Sequence, residues 1–287
     1  MNWLIFTLVA VSSRSIYSIA TKILSNRIKV SAISQAVLLT TFAGLLSLPF
    51  SVFVGGISFA GISSVLLFVL LMVFSQAFGN ILFFQGMNEL DAGTAQIAFS
   101  SILIWGSVLS VAFLGSNFSL LQVFGIFIML IAILLTQYQR KSINFNKGAL
   151  LIIASAGLFS VFQVTSARIS EVISTGAYLL MAYLGSSLIL SFVYFNKIAK
   201  DLRYLLSKAK DVFKIMLFAS GTSLLYFIFS YFAYRVAPDK GVVVVLLTAQ
   251  VVLSVILGII LLKETRNLKR KLLAGILAFI ASVLIKS

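Results

Sequence analysis

The feature that most constrains this chain is the recurrence of apolar runs long enough to cross a bilayer. A spanning helix needs about 20 mostly apolar residues. Ten segments of the 287-residue chain meet that length: 3–23, 31–54, 62–87, 92–114, 119–137, 148–168, 174–195, 212–236, 240–262 and 271–286. In lipid each segment must satisfy its own backbone groups, and an α-helix does so without help from its neighbours. The expected fold is therefore an all-α integral membrane protein with ten transmembrane helices. Composition agrees: 61% of residues are hydrophobic and only 10% charged, against roughly 25% charged in a soluble domain. No Lys or Arg precedes the first apolar run, which argues against a cleaved signal peptide.

The formal charge of +15 raises the question of nucleic acid. The distribution of charge answers it. Of the 22 Lys and Arg residues, 17 fall in or beside the first, fifth, seventh and ninth loops. That is the pattern membrane insertion imposes on cytoplasmic loops. It places both termini outward, in what is expected to be a bacterial or archaeal cytoplasmic membrane, and no nucleic-acid partner is expected. The seventh loop, "NKIAKDLRYLLSKAKDVFK", spaces Ile198, Leu202, Leu205 and Leu206 helically among lysines. It reads either as an amphipathic helix on an anionic membrane surface or as a solvated loop.

The chain contains no Cys and no His. Disulfides, thiolate metal sites and the commonest general base are thereby absent. All seven acids, Glu89, Asp91, Glu171, Asp201, Asp211, Asp239 and Glu264, lie at span ends or in loops. A membrane enzyme acting on lipid needs embedded or interfacial acid–base or metal groups, so no enzyme, cofactor or metal is expected.

The ten spans also divide into two halves, 1–137 and 148–287, joined by 138–147. Residues 90–116 align without gaps on 238–264, with Asp91 on Asp239, Gly93 on Gly241, Leu109 on Leu257 and Leu114 on Leu262. Five is an odd number, so a duplicated five-helix unit inserts its second copy upside down. The expected architecture is thus two inverted five-helix repeats with a site near the midplane.

This organisation, with the motifs at the ends of the fourth helices, resembles the EamA family of the drug/metabolite transporter superfamily. In "ILLKETRNLKRKLLAG", Glu264 matches the family glutamate and Gly275 its helix-opening glycine. In "AFLGSNFSLLQVFG", Ser116 stands where the glutamate would be and Gly125 matches the glycine. The proline often found midway along the fourth and ninth helices is missing; Ser101/Ile102 and Ala249/Gln250 occupy that region. The resemblance implies a basket of ten helices around a central cavity. Its members move amino acids, other metabolites, nucleotide sugars or drugs, many of them outward.

Arg14 is the residue that most sharpens this expectation. It sits about ten residues, roughly 15 Å, from either end of the first span, too far to snorkel. At 100° per residue it shares a stripe with Thr7, Tyr17 and Thr21, opposite Ile5, Val9, Ile16, Ile19 and Ile23. No carboxylate lies at its depth, so two readings stay open: a substrate-facing guanidinium, or one bonded to carbonyls or water. Buried amides are costly to leave unpaired, and Gln76, Asn80, Gln96, Gln163 and Gln250 lie within spans. The candidate substrate-binding set is Arg14, Tyr17, Gln76, Asn80, Gln96, Ser100, Trp105, Gln163, Tyr226 and Gln250. The small multidrug-resistance relatives depend on a first-helix glutamate; an arginine there argues against a cation/proton antiporter. The expected function is secondary transport, as exporter or exchanger, of a small metabolite such as an amino acid or organic anion, by alternating access. The alternatives are a flippase for lipid or lipid-linked sugar, or a drug exporter, of the same fold. Expected partners are a small-molecule substrate and membrane lipid, with the protein a monomer and a dimer as the alternative.

Overall fold

The computed structural model describes residues 2–286 except 29, 91, 118, 140–141, 144–145 and 264–267. Helices account for nearly all of it: α1 Asn2–Arg27, α2 Ala32–Phe53, α3 Leu66–Glu89, α4 Ala92–Phe99, α5 Ile102–Leu114, α6 Leu120–Gln137, α7 Lys147–Ile169, α8 Thr175–Leu180, α9 Ser186–Val193, α10 Phe195–Val236, α11 Lys240–Leu246, α12 Gln250–Leu262 and α13 Leu268–Lys286. A two-residue antiparallel pairing, Tyr138–Gln139 with Ser142–Ile143, links α6 to α7. Among the described residues, eight segments are long and apolar enough to cross a membrane, and Leu120–Ala132 is a shorter apolar helix. The chain is an integral membrane protein.

Helix starts follow local chemistry. Ser31, Asn146 and Ser174 each accept a bond from the backbone N–H three residues on, and Asp239 accepts from those of Gly241 and Val242. Such caps satisfy N–H groups that the helix leaves unpaired, each contributing about 1 kcal/mol. Lys22 does the converse for α3: its ammonium donates to the carbonyls of Met87 and Leu90 at 2.5 and 2.6 Å, where α3 ends.

Two expected spans are broken. The fourth splits into α4 and α5 at Ser100–Ser101, and the ninth into α11 and α12 across a tight turn, Leu247–Ala249. The breaks coincide in the register that aligns 90–116 on 238–264. Ser100 Oγ donates to the Ile97 carbonyl at 2.5 Å, and its counterpart Thr248 Oγ1 donates to the Val245 carbonyl at 2.6 Å. A hydroxyl bonded back along its own helix draws off a carbonyl and bends the ladder. Here it acts where the resembling family often has proline. The downstream segments also end alike. Gly115 and Lys263 both take left-handed φ, 72° and 55°, and donate to Ser110 and Gly258 respectively.

Packing joins the two halves of the chain. α3 lies along α7, α1 along α10 and α12, α6 along α13, and α2 against α8. The α3–α7 approach depends on small residues. Ser155 donates to the Gly79 carbonyl at 2.8 Å, and a Cβ on Gly86 would lie 2.5 Å from Ile152 and 2.8 Å from the Gly148 carbonyl oxygen. Close backbone approach of this kind replaces the hydrophobic driving force that lipid removes.

The seventh loop is helical, and α10 runs through it into the span without a break. Ile198 and Leu205 pack on α1 and α2 residues, while Leu202 and Leu206 are exposed. Asp201 fixes this extension: one carboxylate oxygen accepts from Ser31 N at 3.1 Å, Ser31 Oγ at 2.9 Å and Ser34 Oγ at 2.7 Å. Burial acts to raise the Asp201 carboxyl, but these bonds outweigh it and hold it below the usual value. At the other end of the bundle, Ser51 donates to the Gly176 carbonyl, Ser174 Oγ donates to the Gly56 carbonyl, and Ser116 Oγ meets Asp239 at 3.2 Å. Hydrogen bonds therefore tie the halves at both ends. Glu264 lies outside the described residues.

Candidate functional site

Arg14 stands near the middle of α1, 5% exposed. Most of the helix from Ala10 to Thr21 is buried, Ile19 included, with Ser12 exposed and Ile16 half-buried on one face. The outer face expected from the sequence continues through exposed Ser12 and half-buried Ile16 and Ile23, and Ile19 departs from it by being buried. α1 is central because α10 and α12 both pack on it.

Five aromatic rings surround the guanidinium. Its carbon lies 4.9 Å from the ring centre of Tyr17, 5.1 Å from Phe159, 5.4 Å from Tyr226 and 5.7 Å from both Phe83 and Phe99. The rings come from α1, α3, α4, α7 and α10. Phe83, Phe99 and Phe159 pack edge to face with one another. Among the described residues, no carboxylate pairs with Arg14 and no hydrogen bond from it to another side chain or carbonyl occurs.

The energetics leave a surplus. A desolvated cation over a ring gains about 2 kcal/mol or more, and ring quadrupoles offset part of the several kcal/mol it costs to bury an ion. They do not occupy the planar fork of five N–H donors, whose geometry matches a carboxylate or phosphate. Among the described residues, no acceptor meets those donors inside the ring of aromatics.

Both helix breaks bear on this stretch of α1. Gln96 of α4 donates to Ser18 Oγ at 2.7 Å. Ser15 Oγ donates to the backbone carbonyl of Gln250, the first residue of α12, at 3.0 Å. The broken helices of both halves therefore grip α1 on either side of Tyr17. Gln163 reaches the site through Tyr226, donating to its hydroxyl at 3.0 Å. Asn80 lies one helical turn before Phe83, and Gln76 one turn earlier. Gln76, Asn80, Gln163 and Gln250 are all buried, and each leaves one amide atom without a partner among the described residues. Farther along, a stretch of π-helix at Met181–Gly185 turns Tyr183 toward Ser223, 2.8 Å away. Such widened turns recur at functional sites.

Arg14, Tyr17 and Tyr226 thus come together directly, and Gln96, Gln163 and Gln250 are tied to the same region by hydrogen bonds. Two candidates fall elsewhere. Trp105 is 47% exposed on the outer surface of α5 and does not reach the cluster. Ser100 is buried, but its hydroxyl is engaged by Ile97 in shaping the helix break. Sequence reading passed over Phe99 and Phe159. Their signal was positional: Phe159 is one turn before Gln163, and Phe99 is next to the break.

The model of the EamA-like transporter family matches residues 1–138. The first half of the chain is similar to an EamA-type unit. That unit carries α1 through α6, and with them Arg14, Tyr17, Gln76, Asn80 and Gln96. The EamA family is part of the drug/metabolite transporter superfamily, and the match over this half suggests a membrane transporter of that type. A protein of known crystal structure shares the fold at a TM-score of 0.66 and 14% identity, covering 97% of this chain and 95% of its own. Among curated proteins no sequence matches.

Proposed function

We propose that this EamA-type protein is a secondary transporter, exporter or exchanger, of a small molecule bearing a carboxylate or another anionic group, and that Arg14 is its docking cation. The observation that carries the reading is the buried guanidinium ringed by five aromatics with no anion of its own. The unpartnered amides of Gln76, Asn80, Gln163 and Gln250 add both donors and acceptors to the region. An amino acid or an organic acid fits such a set.

The architecture we propose is a pair of inverted five-helix repeats. Support comes from the matching helix breaks and left-handed ends, and from pairings that exchange under a twofold operation: α1 with α10 mirrors α7 with α3. In alternating access the halves rock about Arg14. The bonds of Asp201 to Ser31 and Ser34 would open on one side, and those of Ser51, Ser116 and Ser174 on the other.

The test is counterflow in proteoliposomes, wild type against Arg14→Ala and Arg14→Lys, across a panel of amino acids and organic acids. Removing one partner of a buried charge pair costs about 2–5 kcal/mol, so Arg14→Ala is expected to lower carboxylate transport by about 30-fold to several thousand-fold while the protein still inserts. Arg14→Lys, which keeps charge without the planar fork, falls between. Unchanged transport by Arg14→Ala across the panel refutes the substrate role.

A further inference from the structure

Between α2 and α10 lies an apolar slot of about 880 Å³, open sideways. Leu46, Phe50 and Phe53 form one wall, and Leu217, Phe218 and Ile228 the other. Its two helices come from different halves of the chain. They touch at one end, where Phe42 meets Phe213 edge to face at 5.6 Å, and separate beyond it. Phe53 at the far end is 85% exposed. Gly221 faces this gap; a Cβ there would meet no atom within 4 Å.

The face of α10 that lines the slot continues into charge. Stepping back along the helix by three or four residues from Phe218 leads to Lys214 and then Lys210. Both are exposed, and neither makes an ion pair with a described residue. An apolar channel that begins one turn above two cations is complementary to one kind of membrane component. It has the length as well: Leu217 to Phe232 rises about 22 Å along the helix, whereas one leaflet supplies about half of a hydrocarbon core of roughly 30 Å.

We infer that the α2–α10 slot holds an acyl chain of an anionic phospholipid whose phosphate rests on Lys210 and Lys214. The lipid wedges between the two halves where they are not in contact. Basic residues at the membrane surface favour anionic headgroups in just this way, and the slot adds an apolar seat that a bare basic surface lacks. The site is separate from the Arg14 cage, so it binds lipid whether or not Arg14 binds substrate.

Native mass spectrometry of the purified full chain tests this, with dioleoyl-phosphatidylglycerol, dioleoyl-phosphatidylcholine and sn-glycerol 3-phosphate as probes. Wild type should retain phosphatidylglycerol about tenfold more than phosphatidylcholine, and glycerol phosphate not at all. Gly221→Leu projects into the slot from a position where a Cβ meets no atom within 4 Å, and it should lose retention of phosphatidylglycerol by about tenfold, with an unchanged melting temperature in lipid-free detergent. Lys210→Gln/Lys214→Gln should abolish the preference between the two lipids but keep weak retention of both. Equal retention of both lipids by wild type overturns the proposal, as does full retention by Gly221→Leu. Binding of glycerol phosphate would show a headgroup site without the slot, and also overturns it. So does a preference that survives the double lysine variant but vanishes in Arg235→Gln, since Arg235 is the cation at the slot's other end.

Discussion

The broken helices α4–α5 and α11–α12 are nearly the same backbone carrying different side chains. Each breaks at a hydroxyl bonded back to a carbonyl, Ser100 to Ile97 and Thr248 to Val245. Each ends in a left-handed residue, Gly115 or Lys263. The polar cargo differs. The first half presents Gln96 before its break, already bonded to Ser18; the second presents Gln250 just after its break, with a buried amide atom unpaired. A repeated backbone supplies the bend, and the side chains decide which half holds α1 in place and which stays available to a ligand.

The sharpest way to break that comparison is to remove the two glutamines separately. Gln250→Met deletes an unpaired buried polar atom. It should leave the melting temperature unchanged or raised, yet lower carboxylate transport about tenfold, equivalent to about 1.4 kcal/mol. Gln96→Met deletes a made bond and should cost about 1–2 kcal/mol of stability, read as a lower melting temperature, with a smaller effect on transport. If both variants behave alike, the division of labour between the halves is wrong.

Smaller effects test the helix ends. A left-handed conformation costs a residue with a Cβ about 1–2 kcal/mol. Gly115→Ala should therefore destabilise by about 1 kcal/mol through φ alone, because an added Cβ there meets no atom within 4 Å. Lys263→Gly should stabilise by a similar amount, visible as a reciprocal shift in thermal unfolding. The smallest changes are expected for Ser100→Ala and Thr248→Ala, a few tenths of a kcal/mol each, since the freed carbonyl can rejoin its ladder. Equal shifts would confirm that the two hydroxyls do the same job.

The tie at Asp201 adds a pH handle. Its carboxyl is held below the ordinary value, so the stabilisation it provides is fully present above that ordinary value, about 3.9. The stabilisation is lost as pH falls through the depressed value of the folded state. Asp201→Asn should remove this acid-limb dependence in an unfolding titration.

Much of this was legible in the chain because lipid imposes it. Runs of apolar residues must become helices when no water can satisfy the backbone, so α1, α2, α3 and α7 match their expected spans to within a few residues. The position of Arg14 in a span, and the scarcity of acids near it, were also matters of sequence. Other features required the fold. Proline was absent from the fourth and ninth spans, and breaks formed there all the same, at Ser100 and Thr248. Trp105 lies on a polar-looking span but faces outward. The seventh loop continues α10 because Leu205 and Asp201 find partners on α1 and α2, which lie far away in sequence.

Sequence alone determined that the protein lives in a membrane, which apolar runs become helices, and that a cation sits at mid-depth without a neighbouring acid. Only the tertiary structure decided what that cation faces. Phe83, Phe99, Phe159 and Tyr226 reach Arg14 from four other helices. A helical repeat specifies which residues share a face of one helix, but which faces meet is set by packing among all of them.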